Sequence, residues 1–229
     1  MATLTWLGHA AFRLESDRGK RIYVDPFLTH NPKTPDGEKS PERVDVIAIT
    51  HGHGDHVGDA VELSKRFPDV QIVAQVELKA WLGKQGANVG DLPGINKGGS
   101  QEIDGIRFTL VNAFHSSSSE ELEYLGESCG LVVRLEDGKA VYFAGDTCVF
   151  GDMQLIARLC KPDLAVLPIG DHFTMGPEEA AVALELLGNP RCLPCHYGTF
   201  SLLAGTPERL AELTGAQVER IAPGDSIEV

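Results

Sequence analysis

The segment Thr50-His51-Gly52-His53-Gly54-Asp55-His56 contains four potential metal ligands within six residues. It directly follows the apolar, β-branched run 44–49, which predicts a strand. Because His51 and His53 are two residues apart, an extended backbone places both side chains on the same side. Gly52 and Gly54, which alternate with the ligands, leave room for imidazole rings to converge. Three imidazoles and one carboxylate in such a short segment predict a site for a divalent transition metal.

This arrangement is more specific than a single short motif. Random shuffling of the same composition would produce it in roughly six of ten thousand sequences. The competing interpretation is a polar loop that carries histidines by chance, and the count argues against it.

Three more ligand-type residues, His115, Asp146 and His196, each stand directly after an apolar run that predicts a strand. Side chains at strand ends can converge at one edge of a sheet, where α/β proteins commonly place their sites. Taken singly, either histidine would more often be a surface or core residue, and Asp146 a helix cap. Their repeated placement predicts instead that they join the first four residues in one site.

Strand-like and helix-like segments alternate along the chain, which predicts an α/β fold in a single domain over residues 1–229. Strands are predicted at 4–7, 12–15, 22–24, 44–50, 71–74, 106–111, 131–135, 140–144, 164–169, 191–195 and 227–229. Helices are predicted at 56–67, 76–85, 153–159, 177–187 and 207–213. The long loops 29–43 and 116–128 are of the kind that often forms lids or binding segments.

The 229 residues carry a formal net charge of −13. This acidic balance would repel a phosphate backbone, so nucleic acid is not an expected partner. No apolar run reaches the ~18 residues of a membrane span, and no secretory signal is visible at the start. The five cysteines are therefore expected to be reduced thiols in the cytoplasm. A small molecule is the expected partner, and a homo-oligomer is left open.

The pattern His51-x-His53-x-Asp55-His56, with the order of the later residues, resembles the signature of the metallo-β-lactamase superfamily over nearly the whole chain. Trp6-Leu7-Gly8-His9-Ala10, Asp25-Pro26 and the segments 145–147 and 170–176 are similar to a narrower branch. That branch contains little-characterised metal-dependent hydrolases similar to the bacterial ascorbate-6-phosphate lactonase. The resemblance implies a four-layer αβ/βα sandwich of mixed sheets, with helices on the outer faces and the site at one edge.

The resemblance also implies which residues hold two divalent metal ions. His51, His53 and His115 would bind the first ion, Asp55, His56 and His196 would bind the second, and Asp146 would bridge them. Zn or Mn is the expected metal, and Fe, Co or Ni also suits such ligands. Class B β-lactamases lack a bridging aspartate of this kind, so the pattern argues against a β-lactamase.

The implied chemistry is hydrolysis of a small-molecule ester, lactone or phosphoester by a metal-bridging hydroxide, because two ions can share a water and lower its pKa. Asp55 would orient the hydroxide. His172, in the segment 170–176, is the second candidate catalytic residue, on the substrate side of the site, with a solvent-exposed loop histidine as the alternative.

Three further polar residues lie outside the predicted ligand set. His9 either lines the site or belongs to a tight turn beside Gly8. Asp25 either accepts a hydrogen bond from a ligand imidazole, which metal-bound histidines usually need, or is a simple turn residue. His30 is expected in solvent.

Several other functions compete with this hypothesis. Cys192-Leu193-Pro194-Cys195-His196 matches the pattern for covalent haem, but cysteines three apart on a strand point to opposite faces. Two apolar core cysteines are the preferred interpretation, and a structural zinc site would lack a second pair. A phosphodiesterase or nuclease of the same fold and a non-catalytic metal-binding sensor or redox di-iron protein stay open. A glyoxalase-II-like thioesterase would need an additional helical domain.

Overall fold

Two six-stranded mixed sheets lie face to face in the computed structural model, which describes residues 1–229. The first sheet has the order β12-β1-β2-β3-β4-β5, with β1 (Thr3–Trp6), β2 (Phe12–Glu15), β3 (Arg21–Val24), β4 (Val46–Ala48), β5 (Gln71–Val73) and β12 (Ser226–Glu228). The second has the order β11-β10-β9-β8-β7-β6, with β6 (Ser100–Ile103), β7 (Ile106–Asn112), β8 (Cys129–Arg134), β9 (Ala140–Phe143), β10 (Leu164–Pro168) and β11 (Arg191–Cys195).

Six α-helices and one short 3₁₀-helix (Asp36–Glu38) complete the fold. The α-helices are α1 (Gly54–Val57), α2 (Ala60–Arg66), α3 (Val76–Lys84), α4 (Met153–Cys160), α5 (Pro177–Leu187) and α6 (Pro207–Leu213). Both α5 and α6 begin with the predicted proline, whose fixed φ suits the first helical position. None of the helices combines the length and the apolar character that a bilayer span requires.

Alternate residues of each strand serve different apolar layers. In β4, Val46 and Ala48 pack between the two sheets, whereas Ile47 packs with the helices α1–α3 on the outer face. In β10, Val166 lies between the sheets and Leu167 packs with α4–α6. The period of two along each strand therefore produces three apolar layers between four layers of secondary structure. This confirms the predicted αβ/βα sandwich.

Strand direction determines where the predicted site residues meet. Strands β3, β4 and β5 run parallel, and so do β9, β10 and β11. Two antiparallel steps, β7 to β8 and β8 to β9, make β7 point the same way as β9. The carboxyl ends of these strands lie at one edge of the sandwich, and the loops that follow them carry the motif residues.

The predicted helix over 56–67 is in fact interrupted at Gly58, between α1 and α2. Gly58 has a φ of 43°, and a Cβ atom there would lie 2.4 Å from the carbonyl oxygen of Pro26. Just beyond it, the Asp59 carboxylate accepts a hydrogen bond of 2.8 Å from the backbone N–H of Leu28. Close packing against the segment after β3 therefore ends α1. Helical periodicity contains no signal for such a long-range contact.

Strand β6 is absent from the predicted elements. It is an edge strand that pairs only with β7, and none of its four residues is fully buried. Because it contributes little to the core, it lacks the apolar alternation by which half-buried strands are recognised.

Candidate metal centre

The motif loop leaves β4 and enters α1 within a few residues, and its two glycines lie against a neighbouring loop. A Cβ atom on Gly52 would lie 2.7 Å from Cδ1 of Leu125, and one on Gly54 would lie 3.0 Å from Oε1 of Glu120. Both neighbours belong to the long loop 116–128. The glycines therefore allow this loop to cover the motif, in addition to leaving room for the imidazoles.

One group of imidazoles forms where the motif loop meets the end of β7. Nε2 of His51 lies 3.1 Å from Nδ1 of His53, and the His115 ring centre lies 5.3 and 5.1 Å from the centres of these two rings. One nitrogen from each of the three rings lies within 4.8 Å of the others. This spacing suits three ligands of one ion.

Asp146 lies between this group and the remaining imidazoles. Its Oδ2 is 3.6 Å from Nε2 of His115 and 3.2 Å from Nε2 of His196, and its Oδ1 is 3.3 Å from Nε2 of His56. Nε2 of His51 is 4.0 Å from Oδ2. One buried carboxylate thus contacts imidazoles of both predicted ligand sets, as a bridging ligand must.

A second group combines Asp55 with His56, His196 and, additionally, His9. Nε2 of His9 lies 2.9 Å from Oδ2 of Asp55, and Nε2 of His196 lies 3.7 Å from the same oxygen. The His9 ring is fully buried, and its centre lies 4.0 Å from that of His196. Sequence reasoning left the place of His9 open. The sequence signal for it is a histidine beside a glycine shortly after β1, and in the structure both Gly8 and His9 have a positive φ.

Outside the ligand groups, Asp25 and Thr50 hold the rings of two imidazoles. Oδ2 of Asp25 accepts a hydrogen bond of 2.8 Å from Nδ1 of His56, and both carboxylate oxygens accept from Thr50, through its N–H at 2.8 Å and its hydroxyl at 2.7 Å. The Thr50 hydroxyl also lies 3.0 Å from Nδ1 of His51. Contacts of this kind fix the ring so that the opposite nitrogen faces the ion. Sequence reasoning did not identify Thr50.

Burial and neighbouring charge divide the imidazoles into two kinds. Burial lowers the pKa of His51 well below its ordinary value and that of His9 to about 4. Burial opposes protonation of His56 and His196 too, but Asp146 overrides it, so that the pKa of His56 lies well above its ordinary value and that of His196 rises to about 9. In the metal-free protein these two rings are therefore cationic at neutral pH, and entering metal ions must displace their protons.

The residues at this edge fit divalent cations. Nε2 of His56, Oδ1 of Asp146 and Nε2 of His196 are buried, and none of their close contacts has the geometry of a hydrogen bond. Buried polar atoms without partners are costly, and neutral imidazole nitrogens and carboxylate oxygens are typical ligands of Zn²⁺ and similar metals. The structure therefore brings all seven predicted ligands together, and their role as ligands stays a prediction.

The comparisons with known proteins point the same way. Residues 20–197, which include all seven predicted ligands, match the β-lactamase superfamily domain. The chain is 43% identical over 228 residues to a UPF0173 metal-dependent hydrolase of Koribacter versatilis, covering 97% of this chain and 96% of that protein. It is 45% identical over 233 residues to one of Rubrobacter xylanophilus, covering 98% and 95%. The chain belongs to the metallo-β-lactamase superfamily. It is a metal-dependent hydrolase.

A solved structure supports this assignment. Igni18, a metallo hydrolase of the hyperthermophilic archaeon Ignicoccus hospitalis, superposes with a TM-score of 0.86 at 34% identity. The alignment covers 99% of this chain and 97% of Igni18. The predicted family and fold are thus confirmed.

The hydrolase site opens into a cavity of about 340 Å³. Its walls are His53, Asp55, His115, Ser116, Asp146, Phe173 and His196. The segment 170–176 contributes Phe173 to these walls, whereas His172 is exposed and packs edge-on against the Phe173 ring at 4.5 Å. A substrate-side role for His172 stays a prediction. His30 is exposed, as expected, and lies in the wall of a neighbouring cavity of about 730 Å³ that shares Asp55 with the first.

The two cysteines of β11 occupy different apolar layers. Cys192 packs in the layer beside α4–α6 and Cys195 in the layer between the sheets. This confirms that they point to opposite faces of the strand. A single porphyrin could not bond to both thiols, and His196 is part of the candidate metal centre.

Proposed function

We propose that this hydrolase uses two divalent metal ions to cleave a small-molecule ester, lactone or phosphoester. The observation that carries the proposal is the position of Asp146, whose carboxylate lies within 4.0 Å of imidazole nitrogens from His51, His56, His115 and His196. Bound ions would supply a water of lowered pKa and would polarise the substrate oxygen.

Asp55 is the residue that would orient the attacking water. It lies in the cavity wall, and nearby histidines, His56 above all, outweigh burial and hold its pKa well below the ordinary value. Asp55 is therefore a carboxylate at neutral pH and accepts hydrogen bonds.

His9 holds Asp55 in place. Because the pKa of His9 is about 4, its ring is neutral at neutral pH and has one N–H. That hydrogen must be on Nε2, which faces the Asp55 carboxylate at 2.9 Å. Nδ1 then accepts from the hydroxyl of Thr199 at 3.1 Å. The hydrogen-bonded chain Thr199–His9–Asp55 thus fixes the position of the carboxylate. Because the His9 ring is neutral, it does not neutralise the negative charge of Asp55.

Elemental analysis of the purified native protein tests the proposal, and we expect close to two transition-metal ions per chain. In Asp146→Asn, metal content and kcat/KM should fall together, and kcat/KM should fall at least about 100-fold. Even the loss of a residue that only hydrogen-bonds to a metal ligand lowers metal affinity or activity 10–100-fold. Asp137→Asn, an exposed turn residue away from the site, is the matched control. A metal-free, folded and active protein would refute the mechanism.

Turnover of a substrate panel then separates the candidate classes. Lactones, esters, thioesters and phosphodiesters should be assayed with Zn and with Mn. Salt-dependent binding to RNA would instead favour a nuclease.

A further inference from the structure

The walls of the metal cavity have an unusual composition once the ligands are set aside. Of the seven residues that line it, only Ser116 and Phe173 are not predicted metal ligands. Phe173 is 52% exposed, although it is one of the largest apolar side chains of the fold. Its ring is therefore available to a molecule that enters the cavity.

Phe173 is one of several exposed apolar side chains in the loops at this edge of the sandwich. Twelve large apolar side chains of the protein are exposed, and six of them lie in the loops after β7, β10 and β11. These six form what we term the apolar rim: Phe114, Leu122, Tyr124, Phe173, Phe200 and Leu202. Single exposed apolar residues are common, but their concentration in the loops that carry the site residues is typical of a binding edge.

The charges near the site do not suit an anionic substituent on the substrate. The metal ions would meet the reacting group, so a second anionic group would be held best by a lysine or arginine of the protein. The cavity walls contain neither. Lys65, in the wall of the neighbouring cavity, forms an exposed ion pair with Glu62 at 2.8 Å. The covering loop adds Glu120, Glu121 and Glu123.

We propose that the substrate is an uncharged ester or lactone with an apolar chain that packs on Phe173 and the apolar rim, and that it carries no phosphate or carboxylate group. This inference rests on the proposed function and narrows its substrate class. Phe173 is the residue that determines the preference for the apolar chain.

The first test compares three p-nitrophenyl esters with the metal-loaded protein. The valerate has three more methylenes than the acetate, and the glutarate monoester has the valerate's chain length with a terminal carboxylate. Each methylene that is buried strengthens the binding affinity roughly fourfold. We expect kcat/KM at least about tenfold higher for the valerate than for either of the others. Equal or higher values for the acetate or the glutarate would overturn the inference but leave the proposed function intact, whereas no hydrolysis of any ester, lactone or phosphoester would overturn the function itself.

The second test changes the wall. Phe173→Ala should remove most of the valerate-to-acetate preference, and Phe173→Leu should keep part of it, with metal content unchanged in both. Leu159→Ala is the matched control, since Leu159 is 75% exposed on α4 and lies outside the cavity. An unchanged preference in Phe173→Ala would overturn the role of this residue.

A binding measurement tests the inference without requiring turnover. 2-Heptanone and 6-oxoheptanoate share one carbon chain, and only the second ends in a carboxylate. Saturation-transfer NMR on the zinc-loaded protein should show contact with 2-heptanone, lost in Phe173→Ala, and none with 6-oxoheptanoate. Preferential contact with the charged ketone would refute the proposal.

Discussion

Asp25→Asn is the substitution that best tests how the site is held together. Asp25 is buried and accepts three hydrogen bonds, two from Thr50 and one from His56, all between 2.7 and 2.8 Å. It also has a φ of 47°, a conformation that asparagine tolerates as well as aspartate does. The substitution therefore keeps the backbone and the shape of the side chain.

What changes is the number of acceptors. An asparagine has one carbonyl oxygen, so its amide group must turn an N–H toward either the Thr50 N–H or the Nδ1–H of His56. A buried donor left without a partner costs about 1–3 kcal/mol. Loss of such support typically weakens metal binding 10–100-fold, or about 1.4–2.7 kcal/mol.

The assay is competition for Zn²⁺ against a chromophoric chelator, with metal content measured after dialysis. We expect the Asp25→Asn protein to bind metal at least tenfold more weakly and to unfold at lower urea. Asp104→Asn is the matched control, because Asp104 also has a positive φ, 51°, but is exposed in a turn. Wild-type metal affinity in Asp25→Asn would show that Asp25 is only a turn residue.

Three further predictions concern the fold, the protonation of the site and the loop 170–176. Gly58→Ala should lower the free energy of unfolding in urea by at least about 2 kcal/mol, because its Cβ would meet the Pro26 carbonyl oxygen at 2.4 Å. Gly138 has a φ of 93° and open space around it, so Gly138→Ala should lower this free energy by less. Equal losses in the two variants would contradict the packing argument. His196 has a pKa raised to about 9 from an ordinary value of 6.5, so it stabilises the metal-free protein below pH 6.5. That contribution, about 3 kcal/mol at most, should be lost as the pH rises toward 9, and urea curves that do not change between pH 6.5 and 9 would contradict it. His172→Ala should keep the metal content, since the side chain is exposed, but change turnover or substrate preference; loss of metal would instead make it a structural support.

The candidate metal site of this protein was predictable from local sequence patterns. Ligand-type residues at spacings of two and three, directly after apolar runs, indicate a metal site without knowledge of the fold. The period of two in the strands places Val46 and Ile47 on opposite faces of one sheet, which the structure confirms. The same reasoning correctly placed Cys192 and Cys195 on opposite faces of β11.

The less predictable features all depend on contacts between distant parts of the chain. The break at Gly58 follows from the approach of Pro26, and the packing role of Gly52 follows from Leu125, which is 73 residues away in the sequence. The contact between His9 and Asp55 joins residues 46 positions apart. No local pattern encodes such meetings.

From the sequence alone came the kinds of ligand, their order and the alternation of strands and helices, because these depend on residue type and on periods of a few residues. Only the tertiary structure decided that His9 contacts Asp55 and that Phe173 rather than His172 lines the cavity. The reason is that strand direction and sheet packing determine which loop ends meet, and these are properties of the whole chain.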